Sequence, residues 1–257
     1  MTNLLLVGCG KMGGALLSRW QKDYSVHVIE PSSAQPSWHK NLEALPATVF
    51  PDVIVFAVKP QNLAEILPAY KNRFGDKPLY LSIAAGKTTA FFKNYLGDSA
   101  QIIRVMPNTP TMVGKGMSIM YGAKNVTKEN RELATQLMQA VGKAEWTQDE
   151  SQMDAVTALS GSGPAYVFLF LDALTKAGVS AGLPESLAKN LAVETMTGSC
   201  ALAQNNAENF EQLRKNVTSP GGTTEAALHV LMKNDAFETL IKEAVLAAKE
   251  RSEALAE

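Results

Sequence analysis

The stretch NLLLVGCGKMGGALLSRW, residues 3–20, decides the fold. Asn3 to Val7 is a short apolar run of strand type that stops at a glycine. Lys11 to Trp20 then places Met12, Leu16 and Trp20 on one helical face. Between the two runs, Gly8, Gly10 and Gly13 have the GxGxxG spacing. The first glycine of such a turn lets the chain reverse tightly. The second lets backbone approach a pyrophosphate, and the third packs helix against strand. Backbone N–H groups at the helix start then face the phosphates. The spacing alone is a weak signal, but a strand before it and a helix after it supply the context that gives it meaning. Gly8, Cys9, Gly10, Lys11, Met12 and Gly13 are therefore the first candidate contacts of a dinucleotide, NADPH or NADH.

Outward from this turn, strand-like and helical segments alternate. SVHVIE, DVIVFAVKP, PLYLSIAAG, AQIIRVMPN and GMSIMYG read as strands, followed by the helical TKENRELATQLMQAVG and a last strand, KAEWTQ. The near-continuous apolar character of DVIVFAV suits a parallel strand covered on both faces. This alternation predicts an α/β fold with a Rossmann-type, doubly wound parallel sheet over residues 1–148. From residue 149 to 257 the strands stop and every segment has helical period. YVFLFL, residues 166–171, is apolar on all sides, so its helix requires burial all round. A helical unit of this size rarely hides such a helix alone, which predicts an all-helical dimerisation domain and a homodimer sharing its core.

At 257 residues, 46% hydrophobic and 19% charged, the chain has the composition of a globular protein of one large or two smaller domains. Net charge is −1, which gives no reason to expect nucleic acid. The charge is divided: residues 1–148 carry 16 Lys/Arg against 10 Asp/Glu, and residues 149–257 carry 8 against 15. A basic first half suits an anionic ligand. Cys9 and Cys200 form neither a disulfide framework nor a metal cluster, and His27, His39 and His229 have no ligand spacing, so no metal is expected. The N-terminus lacks a basic signal-peptide region, and no apolar run reaches the roughly 18 residues of a membrane span. A cytoplasmic enzyme away from the membrane is the expectation.

Glu30 ends the second strand at the distance where an acidic residue binds the ribose hydroxyls of NAD. No arginine follows to grip a 2′-phosphate, although Ser32 and Ser33 are able to donate to one. Loops at the carboxyl ends of later strands add Ala57, Val58, Lys59 and Pro60, then Ala84 and Ala85, then Asn108 held between two prolines. These are candidate cofactor contacts by position.

VTSPGGTTEAALHVL, residues 217–231, reads as a helix whose start is weakened. Ser219 suits an N-cap and Pro220 the first helical position, yet Gly221 and Gly222 follow, each costing about 1 kcal/mol against alanine inside a helix. Bare backbone N–H groups beside Thr218, Ser219, Thr223 and Thr224 make an anion site suited to one carboxylate and a neighbouring polar atom. Acid–base chemistry for alcohol oxidation is missing. The related β-hydroxyacid dehydrogenases carry a lysine in a GxGxxxK spacing, and here GSGPAYV puts Val167 at that place. Imine reduction needs less help, because a protonated iminium is already electrophilic. Two other readings stand beside it: a reductase of another small imino or oxo carboxylate, and a non-catalytic NAD(P) sensor.

VGCGKMG, FAVKPQ, VMPNTP, LSGSGPAYVF and VTSPGGTTEAALHVL together resemble the pyrroline-5-carboxylate reductase family from about residue 3 to 250. The resemblance implies reduction of L-1-pyrroline-5-carboxylate to L-proline by NADPH or NADH. It implies cofactor contacts at Gly8 to Gly13, Ala57 to Pro60, Ala84 and Ala85. Ser219, Gly221, Gly222, Thr223 and Thr224 would hold the substrate, with Thr224 as the catalytic residue bonding the ring nitrogen and Glu150 bordering the pocket. It also implies interlocked dimers, assembled further into a decamer of five dimers. Glu30 departs from the small polar or basic residues that accompany NADPH use in many members, and this puts that preference in doubt.

Overall fold

The computed structural model describes residues 2–255. They divide into two compact units, one of residues 2–162 with 247–255 and the other of residues 163–246.

The first unit is built on a seven-stranded sheet. Its strands are β1 (Asn3–Val7), β2 (Ser25–Ile29), β3 (Val53–Phe56), β4 (Leu79–Ser82), β5 (Gln101–Met106), β6 (Gly116–Gly122) and β7 (Gly142–Trp146), in the order β2-β1-β3-β4-β5-β6-β7. Leu4, Leu5 and Leu6 are fully buried, as are all four residues of β3. Continuous apolar strands of this kind are stable only with both faces covered. The covering helices are α1 (Lys11–Trp20), α2 (Leu63–Phe74), α3 (Thr89–Leu96) and α4 (Lys128–Gln139). Trp20 fixes α1 against the sheet, fully buried with its indole N–H donating to Leu137 O at 2.8 Å.

The sheet is mostly parallel, as expected, with one exception: β6 runs antiparallel to β5. A parallel pairing needs a crossover of a dozen or more residues. The connection here holds only a 3₁₀ turn, Thr109–Val113. The β6–α4–β7 crossover restores parallel pairing at the edge. Helices α2 and α3 were not legible as periodic segments: Pro68 interrupts the first, and the second is only 8 residues long. Beyond β7 come a 3₁₀ turn (Glu150–Gln152), α5 (Met153–Val156) and a π-helical turn (Thr157–Gly161). Ser252, near the chain's end, donates to Asp154 Oδ1 at 2.7 Å and closes this unit.

The second unit is helical: α6 (Gly163–Ser180), α7 (Glu185–Gln204), α8 (Phe210–Asn216), α9 (Thr223–Leu231) and the first part of α10 (Ala236–Ala254). Small residues set the approach of α6 and α7, since a Cβ on Gly178 would lie 3.0 Å from that of Ala188. Phe168 and Leu169 of α6 are 65% and 70% exposed in the single chain, which does not itself provide the burial their sequence demands. Among the described residues no helix is long and apolar enough to cross a membrane.

One glycine carries the β6–β7 junction. Gly142 has φ 151°, and a Cβ there would fall 2.0 Å from Gly116 O. Gly142→Ala is expected to lower unfolding free energy by about 2–4 kcal/mol through strain and backbone collision. Urea denaturation reads this directly, and a loss below about 0.5 kcal/mol would show that the junction relaxes around the methyl group.

Candidate functional site

At the end of β1 the chain turns through Gly8, which has φ 90° and whose N–H donates to Ile29 O at 2.8 Å. A Cβ at Gly8 would lie 2.8 Å from Ala57 O, and one at Gly13 2.6 Å from Gly8 O. The first and third glycines thus bring β1, α1 and the loop after β3 into backbone contact. Around Gly10 nothing lies within 4 Å, which is the space a ligand needs. The first bond of α1 runs from Gly14 N to Gly10 O at 2.8 Å. The N–H groups of Lys11 and Met12 therefore head the helix without an intrahelical acceptor. The turn opens into a cleft of about 700 Å³ at the switch between β1 and β3, lined by Gly8, Gly10, Glu30, Ala57, Val58 and Lys59, with Leu42, Ile66 and Tyr70 as its apolar wall. Ligands of such sheets bind at this place. Pro60 begins the 3₁₀ turn beyond Lys59, and Ala84 and Ala85 follow β4, with Ala84 N donating to Ser82 Oγ at 3.2 Å.

Glu30 points toward the glycine turn. Its Oε2 accepts from Cys9 N at 2.8 Å, and its Oε1 accepts from Ser32 N at 3.2 Å and Ser32 Oγ at 2.7 Å. The Cys9 N–H bond, then the Ser32 donors and the charge of Lys40, hold the Glu30 carboxyl below its ordinary value despite partial burial. The group is ionised at neutral pH. Burial, with the Glu30 charge adding to it, pushes the Cys9 thiol up and disfavours its thiolate. Ser33 Oγ accepts from Gln35 N at 3.0 Å.

Asn108 sits at the end of β5. Its Oδ1 accepts from Met117 N at 2.8 Å and its Nδ2 donates to Ser160 Oγ at 3.3 Å, in the π-helical turn. The Asn108 side chain is thus employed in holding β6 and that turn. Glu150 is engaged as well: it accepts from Thr89 N at 2.6 Å, Thr89 Oγ1 at 2.7 Å and Arg104 Nη1 at 2.8 Å. The carboxylate thereby ties the start of α3 to β5, and Arg104 is only 5% exposed.

In the second unit, Ser219 is not the N-cap that the sequence pattern predicts. Helix α9 starts at Thr223, with Gly222 as its cap. Gly221 takes φ 70°, which no helix accommodates, and Gly222 N donates to Ser219 O at 3.0 Å. Ser-Pro-Gly-Gly therefore forms a turn with proline second and left-handed glycine third, the type II pattern. The two glycines lie ahead of the helix rather than inside it, so they cost it nothing. Glu225 reaches back to accept from Gly221 N at 2.7 Å. The N–H groups of Thr223 and Thr224, in the first turn of α9, have no intrahelical acceptor.

Residues 150–255 match the family model for pyrroline-5-carboxylate reductase dimerisation, and residues 3–86 match the coenzyme F420-dependent NADP oxidoreductase model. The pyrroline-5-carboxylate reductase of Pseudomonas aeruginosa is 43% identical over 80% of this chain and 75% of its own length. The soybean (Glycine max) enzyme is 36% identical over 97% of this chain and 94% of its own. The Plasmodium falciparum pyrroline carboxylate reductase, solved with NADP bound, superimposes with a TM-score of 0.90 at 33% identity, covering 100% of this chain and 98% of its own. The chain belongs to the pyrroline-5-carboxylate reductase family.

It carries the dimerisation domain of this family, and the exposed apolar face of α6 lies within it. Two features of this reductase escaped the sequence. Arg104 and Thr89 are 46 and 61 residues from Glu150, and no local pattern joins them. Glu225 stands four residues beyond Gly221, and with glycine rather than Ser or Thr at the N-cap the sequence carries no capping-box pattern to signal the contact.

Glu150→Ala would leave Arg104 buried without its partner, an uncompensated charge worth about 3–5 kcal/mol of stability. Chemical denaturation of Glu150→Ala beside the double variant Glu150→Ala/Arg104→Met tests this. The double variant is expected to recover part of the loss; a single-variant cost below about 1 kcal/mol would mean that water solvates the guanidinium.

Proposed function

We infer that this chain reduces the cyclic imine L-1-pyrroline-5-carboxylate to L-proline with NADPH or NADH, the last step of proline biosynthesis. Likeness to family members along nearly the whole chain carries the reading. Two glycine turns of matching chemistry support it: one fit for a pyrophosphate and one for a carboxylate. We assign dinucleotide binding to residues 1–148, and dimerisation and substrate binding to residues 149–257. The decamer of five dimers and the cytoplasmic location belong to the same proposal.

The open space at Gly10 and the N–H groups of Lys11 and Met12 fit a dinucleotide pyrophosphate, and the apolar wall of the cleft fits the adenosine. When bound, the reduced nicotinamide supplies the hydride. The protein's own residues bind, orient and hold a proton. In this assignment the substrate carboxylate takes the N–H groups of Thr223 and Thr224, with the hydroxyls of Ser219 and Thr223 beside them. Gly221 supplies the left-handed turn rather than a donor, because Glu225 already occupies its N–H. Gly222 keeps the approach open, since a Cβ there would stand 3.0 Å from Ser219 O. Thr224 Oγ1 accepts from the protonated ring nitrogen and keeps the imine in its electrophilic form. Proline then leaves with that proton as its amine. No strong base is required, in keeping with Val167 where dehydrogenases of alcohols place lysine.

Initial rates of NADH and NADPH oxidation with pyrroline-5-carboxylate are the primary test. Turnover is expected; its absence in folded, cofactor-bound protein would overturn the reading in favour of a sensor or another imino or oxo carboxylate. Thr224→Ala is expected to lower kcat by roughly tenfold or more, the loss typical of one positioned polar group. Gly222→Val is expected to act chiefly on KM. Wild-type kinetics from both variants would remove the turn from the active site.

A further inference from the structure

We propose that Glu30 makes this reductase prefer NADH, by setting a fixed negative charge where NADPH carries its 2′-phosphate and by occupying Ser32, one of the donors able to receive that phosphate. The proposal rests on the dinucleotide cleft assigned above.

The position follows from the fold. Glu30 directly follows β2, the strand beside β1, and the acidic residue at that place in such sheets meets the adenosine ribose. The geometry adds what the sequence left open, namely where the carboxylate points and what its neighbours are doing. Oε2 lies 2.8 Å from Cys9 N, inside the glycine turn, so the side chain faces the cleft. Ser32, a residue able to donate to a 2′-phosphate, gives both its N–H and its hydroxyl to Oε1. Two lysines line the cleft, Lys40 and Lys59, and the Lys40 ammonium donates to the carbonyl oxygens of Ser33 and Pro31. The residues lining the cleft include no arginine, and they add two further carboxylates, Glu43 and Glu65.

The remaining valence of Glu30 suits a diol. A carboxylate offers about four acceptor positions. Three are used here, two on Oε1 and one on Oε2. Oε2 thus keeps a lone pair for a ribose hydroxyl, which donates. A phosphate monoester has no proton to donate when fully ionised and carries about −1.5 to −2 charges at neutral pH. Beside an ionised carboxylate it meets repulsion in place of a hydrogen bond.

The test is direct binding, by titration calorimetry or nicotinamide fluorescence, of NADH and NADPH to the intact protein and to Glu30→Gln. Glutamine keeps a carbonyl to accept from Cys9 N and removes the charge. The wild type is expected to bind NADH about tenfold or more tightly than NADPH, with the gap narrowing as salt screens the repulsion. Glu30→Gln is expected to close most of the gap by tightening NADPH. Equal or tighter binding of NADPH by the wild type overturns the proposal, and so does an unchanged ratio in folded Glu30→Gln. Should that variant not fold, the wild-type ratio and its salt dependence decide. Failure of folded wild-type protein to bind either dinucleotide overturns the cleft assignment itself.

Discussion

Burial of β1 on both faces and pairing on both of its edges is the constraint from which the first unit follows. Leu4, Leu5 and Leu6 are wholly removed from water, between β2 on one side and β3 on the other. Fully burying each such side chain is worth about 1.5–3 kcal/mol. That energy holds the strand at one depth in the sheet, so its last residue delivers Gly8 to one place. The turn at Gly8 then has no room to drift, because Ala57 O and Gly13 crowd it from two sides. A dinucleotide site made of backbone N–H groups requires such rigidity, since its donors lack the torsional freedom of side chains to seek the ligand.

A second tie fixes the far side of the sheet. Glu150 gathers the first N–H of α3, the Thr89 hydroxyl and the Arg104 guanidinium on one carboxylate. An ion pair so placed contributes less to net stability than to uniqueness of arrangement, for removing either partner strands the other. Its neighbour in function is Asn108, which holds β6 and the π-helical turn at Ser160. Turns of that kind persist where the surroundings over-determine them, and here a Cβ on Gly161 would fall 2.2 Å from Met106 Cε.

How much of this the sequence shows depends on the range of each interaction. The Gly8–Gly10–Gly13 turn is legible because strand, turn and helix are contiguous, and the structure assigns a separate physical job to each glycine. The antiparallel β6 is not, because strand direction depends on what the connection contains rather than on the strand's own residues. The Glu150–Arg104 tie is not legible either, since its partners meet only after the sheet forms. At SPGGTT the sequence pattern places the helix start too early. Ser219 and Pro220 are good starting residues for a helix, but the left-handed Gly221 overrides them. In α6 the opposite happened: Phe168 and Leu169 signal a burial that one chain alone does not provide.

The two glycine turns share a construction. Each exposes backbone N–H groups by means of glycine, and in each one N–H is already held by a glutamate of the same chain: Cys9 by Glu30 and Gly221 by Glu225. A backbone donor left open to every anion would discriminate poorly, because a peptide N–H carries no information about what approaches it. A neighbouring carboxylate adds that information. It admits a ligand whose charge lies on the remaining donors and turns away one whose charge extends further. In the assignments proposed above, the excess charge at the first turn is a 2′-phosphate, and at the second the donors left at Thr223 and Thr224 take a single carboxylate. The cost is weaker attraction for the proper ligand as well, which is tolerable where the remaining donors stand at the start of a helix and gain from its dipole. On these proposals glycine supplies the access and glutamate the selection, at one turn for a cofactor and at the other for a substrate of different size and charge.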